Sequence, residues 1–63
     1  MQPFCITDKY GSKFWYLNGL LHREDGPAIE WFDGGKYWYY HDNPIECKDH
    51  QEFLRMIKLM AFL

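Results

Sequence analysis

Hydrophobic and polar positions along the chain follow two different periods. Up to about residue 47, apolar residues come in short runs broken by Gly, Asn and Asp. Lys13-Phe14-Trp15-Tyr16-Leu17 and the aromatic run from Lys36 to His41 read as strands, because β-branched and aromatic residues fit a pleated, half-buried surface. After residue 48 the period lengthens. Asp49 followed by Glu52 forms a capping box, and Phe53, Leu54, Ile57, Met60 and Ala61 then recur at helical spacing. Gln51, Arg55 and Lys58 lie on the opposite side. The spacing predicts an amphipathic helix over 49–62.

The strand region repeats itself. Lys13-Phe14-Trp15-Tyr16 returns as Lys36-Tyr37-Trp38-Tyr39, an offset of 23 residues that also pairs Gly11 with Gly34 and Ile6 with Ile29. A fixed period of this length marks stacked supersecondary units. Each unit reads as a hairpin. Phe4–Thr7 and Lys13–Leu17 are joined through Lys9-Tyr10-Gly11-Ser12. Ala28–Phe32 turns at Asp33-Gly34-Gly35 into the strand from Lys36. Asn18-Gly19 is the strongest hairpin signal and leads into Leu20–Arg23, after which Asp25-Gly26-Pro27 turns the chain again. Pro44–Cys47 reads as a last edge strand.

These elements give an α+β fold: a twisted antiparallel meander of five or six strands with one C-terminal helix packed on the sheet. Strand side chains alternate between faces. Tyr37, Tyr39 and His41 oppose Trp38 and Tyr40; Phe14 and Tyr16 oppose Trp15 and Leu17. Both faces are therefore aromatic, whereas a sheet with one solvated face alternates apolar with polar. One helix covers one face. The other must curl on itself, stay partly exposed, or meet a partner. Leu59 and Phe62 fall off the main apolar stripe, so the last helical turn is apolar nearly all round. Such an end is either buried in an assembly or folded back over the sheet edge.

Length restricts the picture to one domain, 1–63, with the sheet in 1–47 and the helix in 48–63. A domain of 63 residues buries only about 60% of its unfolded surface, so few of its aromatics, 21% of the chain, can be idle. The net charge of −2, with signs interspersed, argues against nucleic acid as a partner. No leader pattern is visible at Met1-Gln2-Pro3-Phe4-Cys5, and no apolar run approaches the ~18 residues of a membrane span. The expectation is a cytoplasmic protein, not inserted in a membrane, with Cys5 and Cys47 as reduced thiols.

Candidate chemistry is sparse. Cys5, His22, His41, Cys47 and His50 contain no tightly spaced ligand pair of the zinc type, and no cofactor is expected. His22-Arg23-Glu24-Asp25 is the densest polar cluster. It has three readings: turn and cross-strand pairing, with Arg23 reaching an acid such as Glu30; partner recognition; or acid–base catalysis in a small hydrolase. Aromatic strands also stack nucleic-acid bases, but the basic groove that accompanies such platforms is missing.

The stretch from Trp15-Tyr16-Leu17-Asn18-Gly19 through His22-Arg23-Glu24-Asp25-Gly26-Pro27-Ala28 to Lys36-Tyr37-Trp38-Tyr39 resembles MORN repeats (membrane occupation and recognition nexus). It resembles more closely a set of short phage and bacterial proteins with a Trp-Tyr-x-Asn-Gly-x-x-His-Arg-x-Asp-Gly-Pro-Ala unit. The resemblance covers roughly residues 13–40. His22-Arg23-Glu24-Asp25 replaces the usual His-Gly-x-Gly, and His41-Asp42-Asn43-Pro44 stands where Asn-Gly is expected, so the array ends after about one and a half units. The resemblance implies a noncatalytic module that binds a host protein or complex, as a phage-encoded inhibitor of an antiviral-defence component such as an anti-CRISPR. A homodimer is the other partner expected. The expected contact residues are Trp15, Trp38 and Tyr40 on the Trp-bearing face, His22, Arg23, Glu24 and Asp25 in the loop, and Leu59 and Phe62 at the helix end.

Overall fold

A computed structural model describes residues 2–60. Six antiparallel strands form one sheet: β1 (Phe4–Thr7), β2 (Lys13–Leu17), β3 (Leu20–Leu21), β4 (Ile29–Glu30), β5 (Lys36–Tyr40) and β6 (Asn43–Ile45). One helix, α1 (His50–Met60), follows, so the architecture is α+β. The sheet runs β1-β2-β4-β5-β6. Short β3 lies on the same edge of β2 as β4: β3 pairs with Tyr16 and Leu17, β4 with Lys13 and Phe14. Between them, residues 22–28 leave the sheet and return. The excursion is held where it departs and rejoins, since the His22 amide donates to the Trp15 carbonyl and the Trp15 amide to the Ala28 carbonyl.

Strands are shorter than the apolar runs, and backbone bonding explains why. β4 ends before Trp31, whose amide still bonds the Gly35 carbonyl in register at 2.8 Å while its carbonyl accepts from Gly34 in the turn. Asp8, Gly11 and Ser12 make the same pair of bonds at the β1–β2 turn. Other contacts recur at the offset of 23. Ile6 faces Phe14 as Ile29 faces Tyr37, and Leu17 faces Leu20 as Tyr40 faces Asn43.

The two tight turns show how unlike residues reach one geometry. Asn18 and Gly19 have φ of 54° and 79°, the doubly left-handed turn that the Asn-Gly pair favours. His41 and Asp42 adopt 49° and 70° without a glycine. Two side chains reinforce this second turn. The His41 amide donates to His22 Nδ1 at 2.9 Å; the Asp42 amide donates to the Leu21 carbonyl, and Asp42 Oδ1 accepts from the Leu21 amide.

α1 starts with a variant of the capping box, its return bond coming from Lys48 rather than from the N-cap Asp49. The Glu52 amide donates to Asp49 Oδ1 at 2.8 Å, and Glu52 Oε1 accepts in return from the Lys48 amide. The helix lies against the Trp38 face of the sheet: Phe53 packs near the Trp38 ring, and the Trp38 indole N–H donates to His50 Nδ1 at 3.2 Å. Core side chains are few. Among the described residues the buried apolar set is Ala28, Ile29 and Phe53, joined by buried Ser12 and His22. Phe53 is the largest of them and is fully enclosed, so Phe53→Ala should cost roughly 3–5 kcal/mol. That is a large part of the stability of so small a domain, and urea unfolding should show a severe loss. Leu59→Ala, at an exposed helix position, should stay within about 0.5 kcal/mol of the parent.

Candidate functional site

The polar loop and the sheet faces are the two places where function could reside. In the loop, His22 is buried at 2% exposure and both of its ring nitrogens are engaged. Because the His41 amide donates to Nδ1, Nδ1 carries no proton, and the Nε2–H donates to Glu24 Oε2 at 3.0 Å. The ring stacks on His41 and sits beside Tyr40, with centroids 4.2 and 4.9 Å away. His22 thus ties the loop to the β5–β6 turn and has no nitrogen left for a substrate.

Arg23 folds back over the sheet. Its guanidinium lies 3.8 Å from the centre of the Trp15 ring, and Nη1 donates to the Pro27 carbonyl and to Glu30 Oε2 at 2.9 Å. The cross-strand pairing of Arg23 with Glu30 read from the residues is therefore present. Gly26 leaves room for this approach: a Cβ there would come 3.1 Å from the guanidinium carbon, which would have to shift by a few tenths of an ångström. Glu24 and Asp25 are the exposed members of the loop. With Gln2, Pro3, Leu17 and His22 they line a cavity of about 180 Å³, smaller than the roughly 300 Å³ of the smallest usual ligand sites.

The Trp-bearing face, with the expected contact residues Trp15, Trp38 and Tyr40, is the one partly covered by other parts of the chain. Arg23 covers Trp15, α1 covers Trp38, and all three residues are half-buried. Tyr40 and Glu24 meet at one open groove of about 620 Å³, shared with Gln51, Leu54, Arg55, Ile57 and Lys58 of α1. Leu59 is exposed. Phe62 lies outside the described residues.

The opposite face carries the more exposed strand side chains. Cross-strand partners share a face, so the register places Phe4, Ile6, Phe14, Tyr16, Leu21, Ile29, Tyr37 and Tyr39 together. Of these, Phe4, Ile6 and Tyr37 are 60, 48 and 53% exposed; Phe14, Tyr16, Leu21 and Tyr39 are half-buried, and Ile29 belongs to the core. Trp31 extends the surface by meeting Phe14 edge-on at 5.4 Å, and Tyr10 and Phe32 pair at its turn end. No charged residue is among the strand positions of this face; Lys13, Glu30 and Lys36 point to the other. The residues had shown that both faces were apolar, but not which one α1 would take. On the side α1 takes, the Trp38 indole meets His50, twelve residues away and without a sequence motif.

Among the described residues, no three His, Cys, Asp or Glu side chains are grouped as a metal would require, and no helix is long and apolar enough to cross a membrane. Cys5 and Cys47 are both free thiols. Compared with protein-family models, curated proteins and solved structures, the chain matches none.

Two predictions follow from this geometry. Replacing His22 with Ala leaves the His41 amide without its acceptor, a penalty of roughly 1–3 kcal/mol, and thermal unfolding should move down by several degrees. The thiols should differ in reactivity. Burial, then the nearby Glu52 and Asp49 carboxylates, push the Cys47 thiol above its ordinary range, leaving less thiolate at neutral pH. Cys5 is exposed, so iodoacetamide should alkylate it first. Mass spectrometry of partly alkylated protein checks the order.

Proposed function

We propose that the chain is a noncatalytic protein-binding module whose contact surface is the aromatic sheet face left open opposite α1. The observation that carries this reading is the exposure of Phe4, Ile6 and Tyr37 beside Trp31 on a face without charged strand residues. Contiguous exposed apolar surface of this kind marks interaction sites, and aromatic side chains are the usual anchors. The polar cluster favours the same reading from the other side, because both nitrogens of His22 are engaged in structural bonds.

The sheet is read as two copies of one hairpin unit, with the recurring pairs Ile6–Phe14 and Ile29–Tyr37 as its register. Resemblance to the short phage and bacterial proteins with the Trp-Tyr-x-Asn-Gly unit supplies the biological setting. The partner would be a host or antiviral-defence protein, and the module its inhibitor in the host cytoplasm.

Single-stranded nucleic acid is the rival ligand for an aromatic sheet. It is disfavoured because the strand positions around Phe4, Ile6 and Tyr37 carry no cation to meet phosphates. The test is affinity capture from a bacterial lysate with the parent protein and with an Ile6→Ser/Tyr37→Ser variant. The parent should retain a stoichiometric protein that the folded variant loses, with little change between low and high salt. Losing one anchor worth about 1.4 kcal/mol weakens binding tenfold. Retention of RNA or single-stranded DNA, released by salt, would show that the reading is wrong.

A further inference from the structure

The two edges of the sheet differ. At the β6 edge, Tyr40 and Asn43 flank a two-residue turn and so exchange backbone hydrogen bonds with each other. In the next pair, Tyr39–Pro44, the backbone groups face away from the partner strand, so the nitrogen at the open edge belongs to Pro44 and carries no proton. That edge is blunted. β1 has no such device: Phe-Cys-Ile-Thr contains no proline and no charge, and all four residues are exposed.

The direction of the β1 backbone groups follows from β2. Trp15 donates to Ala28 and accepts from His22, so both of its groups bond on the β3/β4 side. Cys5, its partner on β1, therefore points its N–H and C=O to the open edge, and Thr7 does the same two residues on. Phe4 and Ile6 bond inward.

We propose that β1 is a dimerisation edge, pairing antiparallel with β1 of a second copy about a two-fold axis at Cys5. The strand is self-complementary in this register. Each Cys5 amide donates to the other Cys5 carbonyl, and each Thr7 amide to the Pro3 carbonyl of the second copy. Phe4 comes opposite Ile6 of the second copy, and Ile6 opposite its Phe4, in the closer, non-hydrogen-bonded type of pair. Aromatic and β-branched residues suit each other across strands, and no like charges meet. A register centred on Ile6 would instead set Phe4 against Asp8. The paired edges bury much less than the roughly 1,200 Å² of a standard stable interface, so the dimer is weak and concentration-dependent. It joins the two aromatic faces side by side and leaves both open, so it stands whether or not a host protein binds there.

The experiment combines sedimentation equilibrium, from micromolar to millimolar protein, with cross-linking by diamide, which takes up the two thiol hydrogens as a disulfide forms. The Cys5 pair should have Cα atoms about 5.5 Å apart, within the span of a disulfide. A monomer–dimer equilibrium is expected, with a diamide-linked dimer that survives Cys47→Ala and disappears in Cys5→Ala. Thr7→Pro removes an outward amide without touching the β1–β2 bonds and should shift the protein to monomer. Ile6→Lys, at an exposed position, should do the same if the proline variant fails to fold. A monomer throughout the range, a dimer indifferent to a folded Thr7→Pro or Ile6→Lys variant, or cross-linking through Cys47 would overturn the proposal.

Discussion

One helix has to serve a sheet that is apolar on both sides, and the rest of the structure follows from that constraint. The eleven residues of α1 cover the side bearing Trp38, where Phe53 is fully enclosed and His50 accepts the indole N–H. Trp15, on the same side, gets its cover from Arg23. The guanidinium can do this because it is flat, charged and held in two directions, by Glu30 and by the Pro27 carbonyl. Nothing of this kind lies over Phe4, Ile6 or Tyr37. About half of each of these side chains stays in water, which leaves on the order of 1 kcal/mol of burial unrealised per residue.

With few core side chains, order comes from polar pins. Buried Ser12 joins the two hairpins, since its hydroxyl accepts from the Phe32 amide while its own amide bonds Asp8. His22 does the corresponding work at the other end and reinforces a left-handed turn at His41 and Asp42 that lacks glycine. Such groups are costly when unpaired and useful when satisfied. Among the described residues, no buried side-chain nitrogen or oxygen is without a partner.

Elements with local signals were legible in the sequence. The helix start at Asp49–Glu52, the Asn18-Gly19 turn, the strand bodies around Trp15 and Trp38 and the Arg23–Glu30 pair all depend on residues close in number. Strand ends were less so, because the Trp31 carbonyl goes to the Gly34 turn amide and the Trp15 amide goes to Ala28 rather than His22, choices that no period encodes. The choice of face was not legible at all. Alternation sorts residues into two sets but carries no sign, and here the sign is set by packing at Trp38, His50 and Phe53. Trp15 and Trp38 are thus half-buried, under Arg23 and α1.

The functional account stands on which face is open, so solvent access read residue by residue tests it most directly. A soluble paramagnetic probe broadens the NMR signals of exposed side chains and spares those of enclosed ones. Strong broadening at Phe4, Ile6 and Tyr37, with the Phe53 ring and the Trp38 indole N–H protected, is the result the account predicts. Protection of Phe4, Ile6 and Tyr37 together with broadening at Trp38 would contradict it.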